Sequence, residues 1–365
     1  MNMQSSALVT CVGMVTPVGL TAASSAAAIR AGIVRFKETP LLSKRGQPIV
    51  MALLPDEHLP TLSIDRPWFK SLPFTKQERV ARTLRLGGLA LRECAQRTSC
   101  CASIPVLLAL PDEPALIELH ESQHLLQSLA SQSGVMFDLA RSRVVQRGRA
   151  GGFVLLQEAM NLIRAQPEQQ VFIGGIDTYL DLNRLHNLET EGRLRVDGRA
   201  EGLIPGEAAA FVLCSSARCQ IQSRPTALAS IYAVGIGAET AHRYTTQPCL
   251  SHGFTAALGA LWTTAGCQES LVQSVLVGFS GERDQANEWA VAMIRHRSHL
   301  SDMLSLTHPA DCIGDVGAAM GPLLICLGAL SIQRGYRHPP CVIGCASDRE
   351  LRGVALLGSL SDSSS

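Results

Sequence analysis

Two apolar segments, each followed by a helical segment, restrict the fold of this chain most strongly. The first strand-like segment is ALVTCVGMVTP, residues 7–17, and the second is ALASIYAVGIG, residues 227–237. Helical patterns follow them, LTAASSAAAIRAGI in the first case and FTAALGALWTTAG in the second. Strands that are apolar throughout are typical of sheets covered by helices on both faces. The sequence therefore predicts an α/β fold of two similar halves.

Further apolar runs continue the alternation of strands and helices in both halves. The helix predicted over 75–96 has Thr75 as its N-cap and Glu78 at the capping-box position. The helix predicted over 151–165 is apolar nearly all round, which favours a central position. The remaining predicted strands are 104–111, 170–180, 206–216, 274–281, 341–347 and 353–359, with further helices at 288–296 and 317–335.

The polar stretch SSARCQIQSRP, residues 215–225, is the predicted connection between the halves. We therefore expect an N-terminal half over 1–218 and a C-terminal half over 219–360. The last five residues, 361–365, form a serine-rich tail that we expect to be disordered.

Composition excludes several function classes. The net charge is +1 and aromatic residues make up 4% of the 365 residues, so neither a basic field nor stacking platforms for nucleic acid are present. No apolar run is long enough for a membrane span, and the N-terminal segment lacks the basic residues of a signal peptide.

Twelve cysteines occur without any CxxC pair, so we expect no metal site of the zinc-ribbon kind and no cofactor. Most lie in apolar runs, which favours buried thiols in a reducing cytoplasm. We therefore predict a cytoplasmic protein.

Four segments resemble the β-ketoacyl synthase family, whose members have the thiolase-like fold. VTCVGMVTPVG resembles the family's first strand, ITGxGxVTPLG, and FIGGIDTYLD resembles a strand along its dimer interface. AEGLIPGEAAAFVL resembles RDGFVLGEGAAxLVL, and IGDVGAAMGPLLICLGALSIQRG resembles xGHTLGAAGxxxxIxxLLALQ. The matching glycines and the acid, to which we assign structural roles, are Gly174, Gly175, Gly206, Glu207 and Gly314.

The resemblance implies a five-layer α-β-α-β-α sandwich of two similar halves and a dimer. It also implies fatty-acyl or polyketide substrates, carried as thioesters on acyl carrier protein or coenzyme A. The family's reaction is a decarboxylative Claisen condensation that begins when a cysteine thiolate takes the acyl chain.

The family's nucleophile is missing from this sequence. The cysteine lies at a helix N-terminus, where the helix dipole and free amides lower the pKa of the thiol and bind the thioester oxyanion. Alignment through Gly174 and Gly175 puts Arg149 at that position, and Gly151 follows it. No Cys or Ser lies between Ser142 and Tyr179.

The other catalytic residues of the family are replaced as well. Phe279 or Ser280 falls near the first histidine. Asp315 takes the position of the second histidine, and Ala310 takes that of the lysine. The loop GFGGxN, which contributes to the oxyanion hole, is replaced by GCASDRE, residues 344–350. We therefore expect a pseudoenzyme for condensation, and the chain's status as an enzyme stays open at this point.

Arg149 needs an acidic partner, because a cation at a helix N-terminus opposes the dipole. Asp315 and Glu282 are the predicted partners, and Asp284 is a further carboxylate of the same predicted pocket. The alternative is that Arg149 points into solvent. The segment SGERDQANEW, which holds Glu282 and Asp284, forms either a new site or a solvated loop before a helix.

Cys312 and Cys345 complete the pocket candidates. Either thiol could serve as a surrogate nucleophile, and the alternative is that both are buried packing residues.

Two functions follow. The first is a non-catalytic, dimeric ketosynthase-like scaffold, which resembles a chain-length factor or an accessory protein of a bacterial secretion system. Its partners would be a second copy, a related ketosynthase, an acyl carrier protein or a secretion-system protein. The second is an active 3-oxoacyl synthase or acyltransferase with relocated catalytic residues.

Overall fold

The computed structural model describes residues 7–64, 67–98, 101–196, 201–222, 227–266 and 272–360. The predicted disordered tail, 361–365, lies outside these residues. The described helices are α1 (Ala22–Arg30), α2 (Pro67–Ser71), α3 (Phe74–Ala95), α4 (Ser122–Ser133), α5 (Gly151–Ala165), α6 (Leu182–Thr190), α7 (Ala217–Gln222), α8 (His252–Ala265), α9 (Arg283–Arg295), α10 (Ala310–Ile313) and α11 (Met320–Gln333). The described strands are β1 (Ala7–Val15), β2 (Lys37–Leu42), β3 (Pro48–Met51), β4 (Val106–Leu110), β5 (Arg143–Gln146), β6 (Val171–Thr178), β7 (Glu207–Ser215), β8 (Ala229–Ala238), β9 (Val272–Gly278), β10 (Leu300–Thr307), β11 (Cys341–Ala346) and β12 (Leu351–Gly358).

Ten strands form one sheet whose two halves repeat the same topology. The order is β10-β9-β11-β12-β8-β1-β7-β6-β4-β5, and β1 pairs antiparallel with β8 at the centre. In the first half β4 is parallel to β5 and β6, and β7 is antiparallel to its neighbours β6 and β1. In the second half β9 is parallel to β10 and β11, and β12 is antiparallel to β11 and β8. The two similar halves predicted from the sequence are therefore present, while the boundary near residue 218 stays a prediction.

Helices separate and cover the two halves of the sheet. α5 and α11 contact strands of both halves, so they form the central layer. α3 and α4 cover the outer face of the first half, and α8 and α9 cover that of the second. One apolar core surrounds α5 and α11 and reaches the strands on both sides, a second lies beneath α3 and α4, and a third lies beneath α8 and α9. The predicted five-layer α-β-α-β-α sandwich is confirmed, and within the described residues no helix combines the length and apolar character needed to cross a bilayer.

α11 is the most apolar of the long helices that the structure describes. Met320–Ile332 of α11 are all buried, because this helix lies between strands on both sides. α5 begins at Gly151, as predicted, and buries Phe153, Leu155 and Leu156 in the central core. Its other face carries exposed polar residues, so it is less buried than its composition indicates.

β6, the strand FIGGIDT, pairs with β4 on one side and β7 on the other, so it is an inner strand of the sheet, and its place along a dimer interface stays a prediction. Two details of the sequence interpretation are wrong. α3 begins at Phe74 after Pro73, whose fixed φ suits a helix start, so Thr75 lies inside the first turn and caps nothing. α9 begins at Arg283, five residues before the predicted start, which makes part of SGERDQANEW helical.

The glycines at the first-half motif positions have close neighbours. A Cβ on Gly174 would lie 2.1 Å from the Phe211 ring, and one on Gly175 would lie 2.4 Å from the Ala318 carbonyl oxygen. Because glycine has no Cβ at these two positions, β6 can pack closely against β7 and against the turn before α11.

The second pair of motif glycines shapes the turn before α11. A Cβ on Gly206 would lie 2.4 Å from the Ile313 carbonyl oxygen, and Gly314 has φ +69°, which favours glycine. Both positions support the structural roles that we predicted for them.

Candidate functional site

The site lies where the carboxyl ends of parallel strands from both halves meet. Arg149 follows β5 and Tyr179 follows β6 in the first half. Asp348 lies in the turn between β11 and β12 of the second half, and Asp315 precedes α11. Ends of parallel strands are the usual place for ligand sites in α/β proteins, because the connections there converge on one edge.

Arg149 is buried at the start of α5, with 3% of its surface exposed. Its Nε donates to Asp315 Oδ1 at 3.0 Å and to Oδ2 at 2.8 Å, and Nη2 also contacts Oδ2. Nη1 donates to Asp348 Oδ1 at 2.8 Å, and Nη2 donates to the Tyr179 hydroxyl at 3.2 Å. Arg149 therefore pairs with Asp315, one of its two predicted partners, and does not point into solvent.

The charge states of this group are fixed by the pairing. Burial alone would lower the pKa of Arg149, but Asp315 and Asp348 raise it well above its ordinary value. Burial alone would raise the pKa of Asp315, but Arg149 lowers it below its ordinary value. Tyr179 donates to Asp315 Oδ2 at 2.8 Å, and burial raises the pKa of this phenol. An ionised carboxylate held by these donors is a poor general base.

The ion pairs continue into the second half. Arg193 binds Asp348 at 2.9 and 3.0 Å, and it binds both oxygens of Glu282 at 2.9 Å. Arg243 contacts Glu282 at 2.9 Å and Asp284 at 2.6 Å. We call the group Asp315, Arg149, Asp348, Arg193, Glu282 and Arg243 the charged chain.

Of the two alternative partners predicted for Arg149, the structure shows Asp315, since Glu282 binds Arg193 and Arg243 instead. The interpretation of SGERDQANEW as a solvated loop fails for Glu282, which is 7% exposed. Asp284 does lie at the surface, with 55% of its side chain exposed.

Backbone amides near this site are bound by the protein's own side chains. At the start of α5, the Ala150 amide donates to Ser347 Oγ at 3.1 Å. In the turn before α11, the Gly317 amide donates to Asp315 Oδ1 and the Ala318 amide to Asp177 Oδ2, both at 2.9 Å. These three donors are therefore not free to bind an oxyanion.

The two candidate thiols are buried and protonated. Cys345 directs its Sγ to the carbonyl oxygen of Arg149 at 3.2 Å, and burial raises the pKa of this thiol. Cys312 lies in α10, in the central core, with its Sγ 3.8 Å from the Ile29 carbonyl oxygen. Burial and Asp311 raise the pKa of Cys312. A thiolate is the reactive form, so both positions are typical of packing residues.

The remaining predicted site residues are Gly151, Phe279 and Ala310, and each lies in a different part of the structure. Gly151 is buried at the first residue of α5, where a Cβ would lie 3.3 Å from Arg147 Cβ. Phe279 packs at the edge of the core beneath α8 and α9, with its ring 5.7 Å from that of His308. Ala310 begins α10. No contact joins Phe279 or Ala310 to Arg149 among the residues that the structure describes.

Glu207 forms a second buried ion pair behind the site. Its carboxylate receives two hydrogen bonds from Arg82, both 2.6 Å long. It also accepts from the Leu54 amide at 2.7 Å and the Thr178 hydroxyl at 2.9 Å. Glu207 therefore joins β7, α3 and the segment after β3, as its predicted structural role requires.

One group in the described part of the chain has the composition of a metal site. Ligand atoms of Glu239, Cys249 and Glu288 lie within 4.8 Å of one another. Glu288, however, is bound by Arg352 at 2.6 and 2.9 Å, and Glu239 accepts hydrogen bonds from two backbone amides. The arginine and the amides satisfy these carboxylates, so we assign no metal there.

Asp348 is expected to stabilise the fold at neutral pH and less so in acid. Burial opposes its ionisation, but Arg149 and Arg193 hold the pKa of its carboxyl well below the ordinary value. Its contribution is therefore present above the unfolded-state pKa of about 4 and is lost as the pH falls toward the folded-state pKa. We expect Asp348→Asn to lower the free energy of unfolding by about 1–3 kcal/mol at pH 7.

Urea titrations of both proteins, in steps from pH 7 to pH 3, check this prediction. The difference between Asp348→Asn and the parent protein should narrow below about pH 4. A difference that is constant or grows in acid contradicts it.

Solved structures with a similar fold include ketosynthases. The chain is similar to the ishigamide ketosynthase/chain length factor, with a TM-score of 0.73 at 15% identity over 98% of this chain and 100% of that chain. It is also similar to the oxazolomycin ketosynthase domain of Streptomyces albus, with a TM-score of 0.77 at 13% identity over 98% of this chain and 76% of that chain.

A third similar structure is that of a type II polyketide synthase acyl-carrier protein in complex with its ketosynthase bound to the hexaketide. The TM-score is 0.76 at 14% identity, over 97% of this chain and 99% of that chain. No protein-family model matches the sequence, and no curated protein matches it either. The chain therefore has the thiolase-like fold of ketosynthases.

Proposed function

We propose that this protein is a ketosynthase-like subunit that has lost the condensing reaction and serves as a binding scaffold. One observation carries the proposal: the buried, paired guanidinium of Arg149 stands at the start of the helix where a ketosynthase needs its thiolate. The guanidinium is always charged and cannot attack a thioester.

The chemistry of acyl transfer supports the same conclusion. The reaction needs a deprotonated nucleophile, a base or acid with a suitable pKa, and free donors for the oxyanion. At this site the closest candidate thiol, Cys345, is protonated, Asp315 is locked to Arg149, and the Ala150 amide is bound to Ser347. These three groups therefore do not supply the nucleophile, the base or the oxyanion donor that acyl transfer needs.

The scaffold's partner, in this proposal, is a related ketosynthase or a second copy of the chain. One similar structure is a ketosynthase with a chain length factor, and another is a ketosynthase with its acyl-carrier protein. A carrier protein or a bacterial secretion-system protein is the further partner that the sequence resemblance suggests. The cytoplasmic location predicted from the cysteines belongs to this proposal as well.

Acyl-thioester labelling tests the proposal. We expect that incubation with acetyl and longer acyl thioesters, on coenzyme A and on an acyl carrier protein, leaves the intact mass of the protein unchanged. An active ketosynthase treated in parallel should gain one acyl group.

Variants at the two candidate thiols complete the experiment. An acyl adduct that is absent in Cys345→Ala or in Cys312→Ala would show a relocated nucleophile, and the proposal would fail. The matched control is Cys249→Ala, because this cysteine is exposed and lies outside the site.

A further inference from the structure

A cavity of about 270 Å³ opens beside Arg149, between the ends of β4 and β6 and the turn that holds Asp348. This volume exceeds the roughly 150 Å³ that suffices for a benzene-sized guest. Its walls are charged: five carboxylates and four guanidinium groups line it. The carboxylates are Asp112, Glu113, Asp177, Glu191 and Asp348.

Four of these carboxylates already have an arginine partner. Glu113 binds Arg349 at 2.7 Å and Asp177 binds Arg184 at 2.6 Å. Glu191 lies 3.4 Å from Arg193, and Asp348 is held within the charged chain.

Asp112 differs from the other four. Within the described part of the chain, its carboxylate accepts hydrogen bonds from backbone amides, that of Glu113 at 3.0 Å and its own, and has no ion pair. Gly148 forms the wall beside it, and a Cβ there would lie 3.0 Å from both carboxylate oxygens. Glycine at this position, which has φ +63°, therefore leaves space next to the carboxylate.

Burial and one neighbouring carboxylate disfavour the ionised form of Asp112. Burial and the neighbouring Asp348 raise the pKa of its carboxyl, and Arg149 offsets this only in part. A carboxylate in such surroundings gains most from a ligand that brings positive charge.

We propose that this cavity binds a small organic cation, an ammonium or guanidinium compound, with Asp112 as the counter-ion. The proposal rests on the proposed function, since it requires that Arg149 and the charged chain fill the catalytic position rather than act on an acyl chain. An apolar acyl chain is a poor occupant, because it would remove water from charged walls without replacing those hydrogen bonds. The alkyl part of a small cation can lie against Leu188 and Tyr244, which line the same cavity.

Calorimetric titration with agmatine tests the proposal. Agmatine carries a guanidinium and an ammonium on a four-carbon chain, and butyrate is the anionic control of the same chain length. We expect saturable binding of agmatine and none of butyrate. Asp112→Asn should weaken agmatine binding at least about tenfold, because a charged hydrogen bond is lost.

Glu350→Gln is the matched control, because that carboxylate is exposed, pairs with Arg147 at 3.3 Å and does not line the cavity. It should change the affinity less than about twofold, within the range for exposed ion pairs. Asp112→Ala provides a second variant without the amide donor, and thermal melts establish that both variants are folded.

The absence of saturable agmatine binding overturns the proposal, as does equal affinity in a folded Asp112 variant. Acyl labelling tests the proposed function independently of the cation site. A protein that takes no acyl group and binds no agmatine keeps its proposed function and loses only the cation site.

Discussion

Replacement of Arg149 by methionine is expected to lower the free energy of unfolding by about 3–5 kcal/mol. The substitution keeps an unbranched side chain but removes the charge that faces Asp315, whose side chain has no exposed surface. Asp348 still has Arg193, so most of the loss comes from Asp315. Relief of the unfavourable helix dipole offsets about 0.3–1 kcal/mol.

Arg147→Met is the matched control for Arg149→Met. Arg147 lies two residues earlier, 60% of its side chain is exposed, and it pairs with Glu350 at the surface. Exposed ion pairs contribute about 0–1 kcal/mol, so this variant should be nearly as stable as the parent protein. Urea denaturation at pH 7, followed by circular dichroism, gives both values.

A double-mutant cycle identifies the source of the loss. If the loss reflects an unpaired buried carboxylate, Arg149→Met with Asp315→Asn should cost less than the sum of the two single variants. If Arg149→Met and Arg147→Met lower the free energy of unfolding equally, the buried ion pair contributes no more to stability than the exposed one.

The central part of the sheet could be predicted from the sequence, and its edges could not. Strands buried on both faces, such as β4 and β6, are continuous apolar runs, and the sequence located them within a few residues. β5 (RVVQ) and β10 (LSDMLSLT) are the two edge strands, and neither was predicted. Edge strands are short or carry polar residues on an exposed face, so they lack the apolar signal.

The contacts of the site that could be predicted from the sequence are those between residues of two motifs. The resemblance assigned Arg149 and Asp315 to two motif positions, and the fold brings these two residues together. Asp348 and Arg193 were missed as partners, because Arg193 lies in the segment after α6 and pairs with residues 89 and 155 positions away. Spacing along the chain carries no signal for such contacts, which depend on how the two halves pack.

Replacement of Glu207 by methionine is expected to lower the free energy of unfolding by a similar amount, about 3–5 kcal/mol. Glu207 has no exposed surface, and its loss leaves Arg82 with one exposed carboxylate partner, Asp56, and the Leu54 carbonyl. Burial alone would lower the pKa of Arg82, but Glu207 and Asp56 raise it, so the guanidinium keeps its charge. The variant therefore contains a buried cation without its main counter-ion.

Two further variants separate this effect from a general sensitivity to substitution. Glu113→Met removes a carboxylate that binds Arg349 at 2.7 Å but is exposed, and we expect a change below about 1 kcal/mol. Arg82→Met combined with Glu207→Met should be more stable than Glu207→Met alone, because no buried charge is then left without its counter-ion. The Leu54 amide and carbonyl and the Thr178 hydroxyl each lose a partner, whereas Asp56 keeps Arg85. If the double variant is less stable than Glu207→Met, the hydrogen bonds to the backbone and to Thr178 outweigh the ion pair, and the assignment of the loss to an unpaired charge is wrong.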